Sequence, residues 1–229
     1  MAGRRLLRLR QTILLPLPDM PSPLSRFFQQ HASALPEPSQ LSYHLPAWVR
    51  FDLQGVLSPD DTDYFAQVLH RASTLFEASF SPTDEVLLVY QEPRYKRSRI
   101  RSRNYLFRQL GIGKSDLTFR KTWVPNNPEA YHEGHWVQAF FSTAAARVPH
   151  RALLAAISHL DFPAPGRPTI RGLLYFFNQT RGLIFYMYDD RGLVISSDSP
   201  ETIRPFYQHY NDWILDYDRK QIDALFVNS

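Results

Sequence analysis

The sequence predicts an α+β fold, with a largely antiparallel sheet, a C-terminal three-stranded meander and helices packed on one face. Three observations carry that expectation. Residues 172–178, 183–188 and 193–197 are apolar or aromatic runs, separated by segments 178–182 and 189–192 whose turn chemistry ends in glycine, so consecutive antiparallel strands follow. Amphipathic stretches at helical spacing stand before and after this meander, an order that layers helices against a sheet. The composition, 44% hydrophobic and 14% aromatic, supplies a core and excludes wholesale disorder.

Residues 1–40 read as a proline-rich basic leader, because seven of the eighteen prolines fall between Pro16 and Pro46 and proline interrupts both helices and central strands. Inside it, Leu24, Phe27, Phe28 and His31 share a face, which predicts a short helix over about 24–34. A single α+β domain is expected over 41–229. Residues 48–53 read as a strand. Ser58-Pro59-Asp60-Asp61 offers a cap, a proline for the first helical position and acids for the first turn. Phe65, Val68, Leu69, Ala72, Leu75 and Phe76 then follow at helical spacing to about Phe80. Residues 86–90 are a compact apolar strand bounded by Pro93, and 104–110 a short helix closed by Gly111. Strands are expected over 118–124 and 137–143, and a helix after Pro149 that aligns Leu153, Leu154, Ile157 and Leu160. Beyond the meander, Ser199-Pro200-Glu201 starts a helix, and Asn211-Asp212 caps a last one carrying Trp213, Ile214, Tyr217, Ile222, Leu225 and Phe226.

The chain has no cysteine, which excludes disulfide frameworks, zinc ribbons, iron–sulfur clusters and thiol nucleophiles. Arg4, Arg5, Arg8 and Arg10 precede an apolar stretch, but Pro16, Pro18 and Asp19 end it well short of the roughly 7–15 residues of a signal sequence. No window approaches the roughly 18 apolar residues of a membrane span. A cytoplasmic protein with no membrane contact is expected. The net charge of +4 equals those four arginines; initiation at Met20 would omit them together with Asp19 and leave a nearly neutral body of 22 bases and 21 acids.

Several motifs fall short of a catalytic template. Gly111-Ile112-Gly113-Lys114-Ser115 resembles the end of a phosphate-binding loop, yet the required upstream glycine position holds Arg108. His132 and His135 are three apart around Glu133 and Gly134, whereas zinc peptidases need histidines four apart on a helix. Asp189 and Asp190 are adjacent, so on a strand end their side chains diverge; pairing with Asp212, Asp216 or Asp218 depends on the fold. No catalytic residue, metal or cofactor is assigned.

Two charged surfaces remain. Residues 94–121 hold ten basic residues against one acid, and Arg94, Lys96, Arg97, Arg99, Arg101, Arg103 and Arg108 are candidate contacts for nucleic acid or another anion, with Tyr95 and Tyr105 available for stacking. Residues 188–229 hold eight acids against four bases, and Asp189, Asp190, Arg191, Asp212, Asp216 and Asp218 are a candidate partner surface. The two regions could instead pair with each other.

Tyr188-Asp189-Asp190-Arg191-Gly192 and Asn211-Asp212-Trp213-Ile214-Leu215-Asp216-Tyr217-Asp218-Arg219 resemble the C-terminal signature of an uncharacterised bacterial family known only as a domain of unknown function, DUF3885. Residues 48–53, Leu75-Phe76, residues 86–90 and Asp161-Phe162-Pro163 are similar in order and spacing, so the resemblance covers about 41–226. It implies a bacterial origin and one domain, and transfers no activity. The expected function is a non-enzymatic protein-interaction module, immunity-like or regulatory, whose polarised charge favours selective association; the alternative is nucleic-acid binding through residues 94–108.

Overall fold

The computed structural model describes residues 23–31, 41–42, 45–95, 100–101, 103–123 and 134–227. Its seven strands are β1 (Ala47–Asp52), β2 (Glu85–Tyr95), β3 (Thr118–Trp123), β4 (Gly134–Ala144), β5 (Leu173–Asn178), β6 (Leu183–Met187) and β7 (Gly192–Ser197). They form one antiparallel sheet in the order β1-β7-β6-β5-β2-β4-β3. The α+β class and the β5–β6–β7 meander are therefore as the sequence predicts. The helices are α1 (Pro23–His31), α2 (Tyr64–Ser79), α3 (Tyr105–Leu110), α4 (His150–Ser158), α5 (Pro200–His209) and α6 (Arg219–Val227).

Strand alternation divides the core in two. On one face Val86, Leu88, Phe176, Phe185 and Ile195 meet Val68, Leu75 and Phe76 of α2, Leu153 and Leu154 of α4, Ile203 of α5 and Ile222 of α6. Helices α2 to α6 thus share the face expected of them. The opposite face carries Leu87, Val89, Tyr175, Phe177 and Ile184, and Leu24, Phe27 and Phe28 of α1 cover it with Leu41 and Leu45. The helix expected within the leader is present, and it is the lid of the second core.

Other differences from the sequence reading are local. Helix α2 begins at Tyr64, because Asp61 folds back to accept hydrogen bonds from the Ser58 amide (2.7 Å) and hydroxyl (3.2 Å), making a turn of the expected first helical turn. Strand β2 runs through Pro93, where pairing with β5 has already ended at Gln91↔Leu173, so the missing N–H breaks no ladder. The last helix starts only at Arg219. Ile214 bridges Phe51 and the Leu215 amide donates to the Arg50 carbonyl at 2.9 Å, so residues 211–218 cap the outer edge of β1 with two short 3-10 turns.

Among the helix ends, Asn104 caps α3 by accepting from the Phe107 amide at 2.9 Å, and Gly111 closes it with φ 65°, the left-handed conformation glycine adopts without strain. The phosphate-loop resemblance dissolves here, because Lys114–Asp116 is a 3-10 turn whose Asp116 accepts from the Gly113 amide at 2.7 Å. His132 and Glu133 lie outside the described residues, as does the side chain of His135. No helix among the described residues is long and apolar enough to cross a membrane.

Candidate functional site

The early end of the β2–β5 ladder opens a gap in the sheet. Past Gln91, strand β2 keeps β4 on one side, while Thr169, Ile170 and Arg171 stand outside β5 on the other. The Ile170 amide donates to the Ala156 carbonyl at 3.2 Å, which anchors that segment on α4. Residues 100–101 and 103–106 close the third side, held by the buried Ile100, Leu106 and Phe107. The result is a cleft of about 560 Å³ lined by Arg94, Arg101 and Arg171, with Glu92, Asn104 and Tyr105. That volume falls in the range of about 300–1,000 Å³ typical of ligand sites.

The electrostatics of the cleft are uneven. Glu92 accepts from Tyr90 and forms an ion pair with Arg94, so these two charges cancel. Arg101 and Arg171 are exposed and have no acidic partner among the described residues. Two buried donors of the lining, Arg94 Nε and Asn104 Nδ2, also lack an acceptor among the described residues. Unpaired buried donors are rare enough in folded proteins to need an explanation.

Tyr90 forms part of the wall, with its ring edge-on to Phe107 at 6.0 Å. The approach to Gly172 is so close that a Cβ there would lie 2.5 Å from Tyr90 Cε2 and 2.6 Å from the Gln91 carbonyl. Burial pushes the Tyr90 phenol up to about 12, with the Gly172 backbone and the Arg94 charge pulling weakly the other way. A phenol with a raised pKa stabilises the fold fully below its unfolded value of about 10 and loses that contribution as pH rises toward 12. Stability should therefore fall across pH 10–12 and fall less in Tyr90→Phe. Absorbance titration at 295 nm checks the same point: Tyr90→Phe should remove one late-ionising phenol from the titration.

Of the predicted basic contacts, the structure brings Arg94 and Arg101 into the cleft. Arg103 and Arg108 are exposed outside it, and Arg108 donates to the Arg103 carbonyl at 3.1 Å. Lys96, Arg97 and Arg99 lie outside the described residues, as does the side chain of Tyr95. Arg171, Asn104 and Glu92 were not singled out by sequence, since only the topology places them beside residues 94–101.

The acidic candidates correct the sequence reading more strongly. Asp189, Asp190 and Asp218 are 6%, 2% and 7% exposed and cannot present a docking surface. Nor do Asp189 and Asp190 diverge: β6 ends at Met187, so both sit in a turn, and their carboxylates lie with that of Asp161 within 4.8 Å of one another. Asp190 accepts from the Tyr64 hydroxyl, while Asp189 accepts from the Arg191 amide (2.8 Å) and Nε (2.8 Å). Burial first, and then the bond to Asp190, push the Tyr64 pKa far up. This trio has the spacing of a divalent-cation site, but Tyr64 and Arg191 already occupy its two buried members, and we read it as structural. Asp218 pairs with Arg50. Arg191, Asp212 and Asp216 remain exposed. The acidic region is paired chiefly with His31, Arg50, Arg191, Arg204 and Arg219, all outside the basic segment.

The model of the family described as a domain of unknown function (DUF3885) matches residues 24–218, from α1 to the Asp218–Arg50 pair. No curated protein and no solved structure gives a significant match. The chain belongs to the DUF3885 family.

Proposed function

We propose that this member of the family is a non-enzymatic protein-interaction module that captures an anionic segment of a partner protein in the arginine cleft. The observation that carries the reading is the pair Arg101 and Arg171, two guanidiniums from separate segments that line one cleft without acidic partners among the described residues. A guanidinium offers a planar fork of donors that matches carboxylate or phosphate oxygens, so such a pair binds and orients an anion. The carboxylate of the lining, Glu92, is held by Tyr90 and Arg94, which leaves it poorly suited to take a proton from a substrate. That favours binding over catalysis.

Protein is favoured over nucleic acid because, among the described residues, the cleft supplies two uncompensated cations. Sequence-tolerant nucleic-acid binding neutralises a track of phosphates and stacks bases on open aromatic faces. Here Tyr90 is buried, and Tyr105 is half-buried with its hydroxyl 3.5 Å from the Ala152 carbonyl.

Fluorescence anisotropy with a short labelled Glu-rich peptide at low salt tests the proposal. Binding is expected, and the double variant Arg101→Gln/Arg171→Gln should weaken it by at least about tenfold, since one charge-assisted hydrogen bond contributes about 1.5–3 kcal/mol. Unchanged binding in the double variant would move the interface elsewhere. A labelled oligothymidylate that outcompetes the peptide and is released steeply by salt would assign the site to nucleic acid.

A further inference from the structure

Resting on the reading of the cleft as a protein-binding site, we infer that the group it recognises is a phosphate monoester, carried on a phosphorylated side chain, and not a carboxylate. Among the described residues the cleft holds two uncompensated positive charges, Arg101 and Arg171, after Glu92 has cancelled Arg94. A carboxylate brings one negative charge and two oxygens, which one guanidinium fork satisfies. It would leave the second arginine uncompensated. A phosphate monoester carries about −1.5 to −2 at pH 7 and three acceptor oxygens, which matches both cations.

The remaining donors point the same way. Arg94 Nε and Asn104 Nδ2 are buried in the lining without an acceptor among the described residues. Arg94 Nη2 is spent on Glu92, and Asn104 Oδ1 is spent on the cap of α3. What each residue has left is a donor, and a third phosphate oxygen is the complement of such a set. Two forks and two further N–H groups ask for more acceptors than a carboxylate owns. The site is also preorganised. Asn104 is fixed by its capping bond and Arg94 by its ion pair, so two of its four contributors lose little freedom when the anion arrives.

The experiment compares N-acetyl-phosphoserine-methylamide with the blocked glutamate analogue, on the full chain, by amide and arginine Nε–H chemical-shift titration at constant ionic strength. The phosphoserine probe is expected to bind at least about tenfold tighter than the glutamate probe. Its shifts should centre on residues 101–106 and 169–172. Affinity should fall as pH drops through the monoester's second pKa, about 6, while binding of sulfate, which stays a dianion, holds. Arg101→Gln and Arg171→Gln should each cost most of the preference for phosphoserine, and a thermal-unfolding midpoint equal to the parent's shows that each variant is folded. Equal binding of the two probes would overturn the phosphate assignment and leave the acidic-peptide reading intact. No shift at the cleft with either probe would overturn both. Adenosine monophosphate is the third arm: if it binds with the same arginine dependence while phosphoserine does not, the phosphate belongs to a nucleotide and the side-chain assignment fails.

Discussion

Phe27→Ala is expected to lower the free energy of unfolding by about 3–5 kcal/mol, as deletion of a buried aromatic ring generally does. Phe27 is 2% exposed and packs edge-on to Phe177 at 4.9 Å and to Phe28 at 5.5 Å, so its loss opens a cavity between α1 and the sheet. The effect would take a large share of the about 5–15 kcal/mol that holds a typical domain. Urea unfolding followed by tryptophan fluorescence measures it. Gln30→Ala, on the exposed side of the same helix, serves as the control and should change stability by no more than about 0.5 kcal/mol. If Phe27→Ala were as mild as Gln30→Ala, α1 would be an appendage, and the second core would have to be held by the sheet alone.

That helix also shows where the sequence was legible and where it was not. Its periodicity was plain, but the prolines around it spoke for a leader, and no local pattern says which face of a distant sheet an amphipathic helix will cover. A signal was present in the strands. Leu173 to Phe177 and Leu183 to Met187 are continuous apolar runs and not alternating ones, and continuous runs mark strands buried on both faces. A sheet with helices on one side only would have shown polar residues at Tyr175, Phe177 and Ile184. The cleft divides in the same way. Arg94 and Arg101 stood out in a basic cluster, whereas Arg171 is a single arginine after a proline-rich loop, and it reaches the site only because the β2–β5 ladder stops at Gln91↔Leu173. Charge density finds one wall of a site; topology supplies the others.

The second large effect concerns the acids that looked like a surface. Tyr64→Phe is expected to cost about 3 kcal/mol, because it leaves the 2%-exposed Asp190 carboxylate without its buried donor and beside the carboxylates of Asp189 and Asp161. Such a loss exceeds that of an ordinary neutral hydrogen bond, about 1 kcal/mol. A cycle of Tyr64→Phe, Asp190→Ala and the double variant isolates the interaction, with an expected coupling of about 1.5–3 kcal/mol. Additive single effects would show that Tyr64 contributes by packing alone. The bond ties the first turn of α2 to the β6–β7 turn, and the Asp189 carboxylate binds Arg191 within that turn, so the Asp189-Asp190-Arg191 stretch fastens a corner of the fold. Charge reversal at Asp189 or Asp190 would consequently abolish partner binding by unfolding that corner, whatever surface the partner uses. Arg101 and Arg171, exposed and without acidic partners among the described residues, are where a charge change can report on recognition without first destroying the protein.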